Sequence, residues 1–246
     1  LDTFFFTERI TETATITISV SPDNLFETMS ELLAGAQESI EIHAYSFRSR
    51  EIAEILQERL RAGVRVRLFL EGGPAFGGLS DQEKWIARQL DSSGAQVLFM
   101  INDETRRIRD RYKNQHAKVI VVDGEKALVG SENLSFPSMP ADDKANGTAG
   151  RRGIYLITDA PGVVGRIRAV LDADADPAHH VDVAGCSQMP TLCTPPAGFE
   201  PQMTPDWITY SVQFPMPATW LGSFAFEVLH SPENSLRTED GLLGLL

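Results

Sequence analysis

Hydrophobic and polar positions change period along the chain, and each change marks an element. TATITISV (13–20) alternates with a period of two, as a strand does. Ser21-Pro22-Asp23-Asn24 then reads as the cap of a helix over roughly 24–36, with Leu25, Met29, Leu32 and Leu33 on one stripe. SIEIHAYSF (39–47) alternates again, placing Ile40, Ile42, Ala44 and Ser46 on one side. Residues 50–62 return to helical spacing through Ile52, Ile55, Leu56 and Leu60, and Gly63 stops them. VRVRLFLE (64–71) is a strand closed by Gly72-Gly73-Pro74, 81–92 a helix, and AQVLFMI (95–101) a further strand. HAKVIVVDGEKALVGSEN (116–133) predicts a hairpin turning at Asp123-Gly124. RRGIYLITD (151–159) and a helix over 161–172 complete the series. Strands alternating with helices at this spacing predict an α/β sandwich with a mixed, largely parallel sheet.

The rhythm breaks over 173–222, which holds most of the late prolines and both cysteines, so this stretch reads as a connector or insertion. ITYSVQF (208–214) is the one strand candidate in it. An echo follows. At an offset of 210, Ser21, Pro22, Asn24, Thr28, Leu32 and Leu33 recur as Ser231, Pro232, Asn234, Thr238, Leu242 and Leu243. Asp23 becomes Glu233, and each copy follows a short strand. Two chance helix caps are the bland account, but six identities in register favour a repeat. The expected organisation is a first lobe over 1–172, the connector over 173–222, and the start of a second lobe over 223–246. A two-lobed protein cut soon after its second lobe begins fits this pattern.

Composition narrows the partners. A net charge of −12 over 246 residues disfavours non-specific coating of polyanions. Residues 103–118 depart from that average: Arg106, Arg107, Arg109, Arg111, Lys113 and Lys118 stand against Asp103, Glu104 and Asp110. This run is either a solvated loop or an anion-attracting rim, since it leads straight into His116. No apolar run is long enough to span a bilayer. The start LDTFFFTERI has neither initiator Met nor signal-like segment, as in a processed chain or one cut from something longer. Cys186 and Cys193, with six residues between them, are either a small-loop disulfide or two free thiols. With the trimmed start, they lean the expected location to extracytoplasmic or secreted, with cytoplasmic as the alternative.

The hairpin carries the chemistry. Strand periodicity puts His116 and Lys118 on one face, and the return strand brings Ser131 and Asn133 back toward them. An imidazole, an ammonium, a hydroxyl and a carboxamide at one strand end suit an anionic phosphorus centre. Taken singly, Asp123 reads as a turn former, Asn133 as a loop cap and Lys118 as a solvated residue. The joint spacing H-x-K-x4-D-x6-G-S-x-N outweighs those readings.

On that spacing the sequence resembles the phospholipase D superfamily, with His116, Lys118, Asp123, Gly130, Ser131 and Asn133 all matching its signature. SIEIHAYSFRSREIAEILQERLRAGVRVRLFLEGGP resembles the strand–helix–strand ahead of the motif, so the likeness covers about 13–172 and the repeat at 224–246. The resemblance implies a phospholipase D-like α-β-α sandwich lobe, no metal or other cofactor, and a phosphodiester substrate, either a phospholipid or a nucleic acid. It implies two motif copies in one site, the second from a later lobe or a homodimer partner. His116 is then nucleophile or general acid, Lys118 and Asn133 clamp the phosphate, Ser131 supports the motif loop, and Asp123 is mainly structural. Many members also place a Glu after the motif to orient the histidine; here that strand reads GRRGIYL, and Glu71 is the candidate substitute. His43 and Tyr45 either reach the pocket or are satisfied core residues. Arg151 and Arg152 either approach the phosphate or are surface charge, and His179-His180 reads as a solvated helix end. The rival reading is a vestigial lobe that binds an anionic ligand as a scaffold.

Overall fold

The computed structural model describes residues 6–75, 77–205, 208–232, 235 and 241. From residue 13 to residue 172, each change of period becomes the element it implies. β1 (Arg9–Ser21), α1 (Leu25–Ala34), β2 (Ser39–Ala44), α2 (Arg50–Arg61), β3 (Arg65–Glu71), α3 (Asp81–Ser92) and β4 (Gln96–Met100) alternate. The hairpin β5 (Lys118–Val122) and β6 (Lys126–Gly130) follows, then β7 (Gly153–Thr158), α4 (Pro161–Asp174), β8 (Val183–Gly185) and β9 (Ala218–Glu227).

Among the described residues, nine strands form one sheet in the order β8-β4-β3-β2-β5-β6-β7-β1-β9. It is mixed: β2, β3 and β4 run parallel because helices return the chain between them, while the remaining pairs are antiparallel. Alternation sorts the side chains to two faces. Ile42, Leu68, Phe99 and Ile120 face the buried sides of α1, α2 and α3, through Leu25, Leu33, Ile52, Leu56 and Ile86. Val121 and Ala127 face the opposite way, toward Val163, Val164 and Ile167 of α4. The result is an α-β-α sandwich.

Local chemistry sets the element ends. Ser49 Oγ accepts from Ile52 N at the start of α2, and Ser80 and Glu83 form a reciprocal capping box on α3. Asp123 and Gly124 turn the hairpin with φ of 54° and 66°, the left-handed pair a two-residue turn requires. The expected cap of α1 differs. Asn24 holds the cap position but its side chain makes no cap bond; its Oδ1 accepts from Val20 N at 2.9 Å and Ser19 Oγ at 2.8 Å. Asp23 turns away to accept from Arg152, Gln213 N and Phe214 N. These two residues bind the strand behind them and the connector instead of the helix ahead.

The connector is more structured than its composition implied. It adds β8 to the sheet rim beside β4, and Cys186 and Cys193 are joined as a disulfide. It then crosses the helix starts, where Gln202 N donates to Gln82 and Thr204 N to Glu51. Within 208–214 no strand forms; Tyr210 makes a single bridge to Thr148 before the chain is held at Asp23. β9 begins at Ala218, ahead of the boundary expected at 223, because its pairing with β1 starts at Ile18 opposite Ala218. That pairing runs on to Arg9 opposite Glu227, with Thr13 facing Ser223. The helix expected of the second repeat falls almost wholly outside the described residues. No helix among the described residues is long and apolar enough to cross a membrane.

Candidate active site

His116 lies two residues ahead of β5 and is exposed, whereas Lys118, the first residue of β5, is buried. Lys118 Nζ folds back to donate to the His116 carbonyl at 2.9 Å. Tyr45, just past the end of β2, lies against both: its ring meets the His116 ring edge-on at 4.6 Å, and Lys118 Nζ stands 5.5 Å above it. The Tyr45 hydroxyl accepts from Ala75 N at 2.9 Å, which fixes the ring. Burial depresses the Lys118 pKa while Glu132 opposes that shift; burial and then the Lys118 charge depress that of His116. The imidazole is therefore kept neutral and open to solvent beside an ammonium. This combination suits attack on a phosphate ester.

The loop carrying His116 is pinned from below. Glu71 Oε2 accepts from Gln115 N at 2.6 Å and Oε1 from Gly73 N at 2.8 Å. Gln115, buried, donates from Nε2 to Phe69 O and accepts at Oε1 from Ala117 N. Glu71 thus does not bond the His116 ring as expected. Both its oxygens are committed to backbone, one at Gln115 just ahead of the histidine and the other at Gly73, and burial raises its pKa. Among the described residues, no acid bonds the His116 ring.

The return strand ends in a packed corner. Gly130 lies against the Tyr155 ring, and the Tyr155 hydroxyl donates to Glu132 O at 2.6 Å. Ser131 supports the corner, its N donating to Ile154 O and its Oγ accepting from Ile154 N. Asn133 is half-buried with Oδ1 unpartnered among the described residues, and Leu134 after it bonds Ser46. Asp123 is not brought to this site. It sits at the far end of β5 and accepts from the backbone N–H of Gln37, Glu38 and Ser39, a structural clamp for the start of β2.

His116, Lys118 and Gly130 open onto a cavity of about 1210 Å³ on the α4 side of the sheet. His43 lines it too, buried at 2% exposure with Nε2 unpartnered among the described residues. Burial, then the charges of Arg67 and Arg111, lower its pKa to about 3. The basic run divides: Arg111 and Lys113 line the cavity, with Arg111 also bonded to Asp182, while Arg106 turns to Asp103 and Gln188. Arg152 is committed to Asp23 and does not reach the motif. His179 bonds Asp176 at the end of the α4 region. The motif spacing does not single out Gln115 or Glu132, which the structure places at the site. The first would have shown itself as a polar residue forced inward beside an exposed neighbour, and the second as an acid inside the motif.

The family described as "Cardiolipin synthase, PLD-like domain" matches residues 29–161, more than half of the chain and the whole motif. The chain belongs to this PLD-like domain family. Its fold is also that of NucT from Helicobacter pylori, with a TM-score of 0.52 at 17% identity, covering 72% of this chain and 99% of that one. A phospholipase D family member, Nuc from Salmonella typhimurium, aligns over 68% of this chain and 93% of its own, with 18% identity and a TM-score of 0.48. A curated relative, the DISARM protein DrmC of Bacillus paralicheniformis, is 34% identical over 108 residues. That stretch is 43% of this chain and 41% of DrmC, so this chain matches well under half of that relative's length. Membership places the chain in the phospholipase D superfamily.

Proposed function

We propose that this domain supplies the nucleophilic half of a phosphodiesterase site working through a phosphohistidine. The observation that carries the reading is the exposed, neutral imidazole of His116 beside the buried ammonium of Lys118. In the first step a ring nitrogen of His116 bonds to phosphorus as the P–O bond to the leaving alcohol breaks. The alkoxide takes its proton from a second motif's histidine. In the second step water gives a proton to that histidine and attacks phosphorus, the P–N bond breaks, and His116 is restored. Lys118 and Asn133 stabilise charge on the non-bridging oxygens throughout. The substrate is a phospholipid or nucleic-acid phosphodiester.

The second motif is expected from a second lobe. β1 and β9 pair antiparallel, and Thr13 faces Ser223, its own counterpart at the repeat's offset of 210. Strands so paired are related by a two-fold axis through that residue pair. Residues 228–232, just past β9, line the same cavity as His116. Both observations support a pseudo-symmetric pair of lobes meeting at the site. The Cys186–Cys193 disulfide supports an extracytoplasmic setting; alkylation of protein isolated without reductant should leave both thiols unmodified.

The test is hydrolysis of a chromogenic phosphodiester by the polypeptide that the whole reading frame encodes. Hydrolysis with an acid-labile phosphoenzyme, both lost in His116→Ala, is expected. Hydrolysis that survives His116→Ala would overturn the assignment, and so would anion binding without turnover.

A further inference from the structure

Apolar side chains are exposed on one stretch of the sheet, on the same face as α4. Trp220 of β9 is 53% exposed and pairs with Ile16 of β1; Ile154 of β7 and Val129 of β6 extend the patch at 53% and 42%. Among the described residues no helix covers it. Farther along the same two strands the face is covered: Ile10, Phe226 and Val228 pack against the cluster that holds Val163, Val164 and Ile167 of α4. Scattered exposed apolar residues need no explanation, but a contiguous patch does.

The covered and open stretches are copies of one another. The offset of 210 carries Ile10 to Trp220, Ile16 to Phe226 and Ile18 to Val228. In the register, Ile10 faces Phe226 and Ile16 faces Trp220. The axis through Thr13 and Ser223 therefore exchanges the pair beneath α4 with the pair left open. We infer that the Ile16–Trp220 patch is the seat of the α4 counterpart in a second lobe. Its occupant is an amphipathic helix whose apolar stripe repeats the spacing of Val163, Val164, Ile167 and Leu171. The inference rests on the two-lobe reading above and adds the surface by which the second lobe docks. That surface is continuous with the β1–β9 interface, which already joins the lobe to its repeat.

The symmetry makes neighbouring residues differ. Leu221 is 77% exposed, and its counterpart Thr11 is exposed in the first lobe, so position 221 should stay open when 220 is covered. Both native cysteines are in the disulfide, so maleimide reads only an introduced thiol. Trp220→Cys and Leu221→Cys are labelled in the 246-residue chain and in the polypeptide encoded by the whole reading frame. The expected result is fast labelling of both in the shorter chain. In the longer one, the thiol of Trp220→Cys should slow at least tenfold and that of Leu221→Cys stay within about twofold. Ile18→Cys, on the partner strand, repeats the readout should Trp220→Cys fail to fold.

Equal slowing at both positions would overturn the inference. So would slow labelling of Trp220→Cys in the shorter chain, slowing that appears only as concentration rises, or a frame without a second lobe. Hydrolysis is measured on the same samples. A protected thiol at position 220 without hydrolysis sinks the enzymatic reading alone, and hydrolysis with that thiol open sinks the docking surface alone.

Discussion

Gly130→Ala tests whether the motif's glycine is required by packing. A β-carbon built at 130 falls within 2.5 Å of three Tyr155 ring carbons, far inside the 3.5–4.0 Å of ordinary carbon contacts. Tyr155 cannot swing aside cheaply. It is 1% exposed, it faces the core under α1–α3, and its hydroxyl bonds Glu132 O. Overpacking costs about 1–3 kcal/mol, and straining or losing the hydroxyl bond adds about 0.5–1.5. The variant should thus lose about 2–4 kcal/mol in urea denaturation at an unchanged m-value. Its motif corner should also shift, since Ser131, Glu132 and Asn133 follow directly. Removing the ring should relieve the clash: in a double-mutant cycle, Gly130→Ala with Tyr155→Leu should cost at least about 1 kcal/mol less than the two changes summed. A loss under about 0.5 kcal/mol for Gly130→Ala, or a strictly additive cycle, would refute the packing argument.

Asp123→Ala should lower stability by about 2 kcal/mol, through three lost acceptances from backbone N–H, while turnover of the folded enzyme stays near wild type. Abolished turnover in a stable protein would return Asp123 to the chemistry. His43, with a folded pKa of about 3, binds fewer protons folded than unfolded between that value and 6.5. Its contribution is present above pH 6.5 and lost as pH falls through the window, at up to about 1.4 kcal/mol per pH unit. His43→Leu should flatten that slope in pH-dependent denaturation by about one proton, and an unchanged slope would contradict the buried neutral imidazole. Tyr45→Leu, which removes the ring against His116 and Lys118, should cut kcat at least about tenfold with KM little changed, whereas Tyr45→Phe should retain most activity. Equal losses in both would place the role in the hydroxyl and not the ring.

What was legible in the sequence was what repeats or is spaced. Helix and strand periods located the element cores from β1 through α4 because each buries one continuous face, as Leu25, Met29 and Leu33 do on α1. The motif's own spacing brought Lys118 beside His116. Contacts between distant segments left no local mark. Glu71 reaches Gln115 across 44 residues, and Asp23 reaches Phe214 across 191, so neither partner could be read from periodicity. The cap reading of residues 21–24 failed for the same reason: Asp and Asn suit a helix start, but a buried carboxylate with distant donors takes those first. Proline density hid β8, because three residues are too few to show alternation.

The sheet has two unlike rims. At one end β8 offers three residues; at the other β9 offers ten, and among the described residues it pairs only with β1. Alternate residues along this ten-residue rim point N–H and C=O groups outward, a template for a further strand. In isolation the lobe is thus polar in the crystallographer's sense: it can be extended at one end and is nearly closed at the other. Growth, whether into a native neighbour or an unwanted aggregate, should start from Ala218–Glu227, and a proline placed at an outward-facing N–H there should block it first.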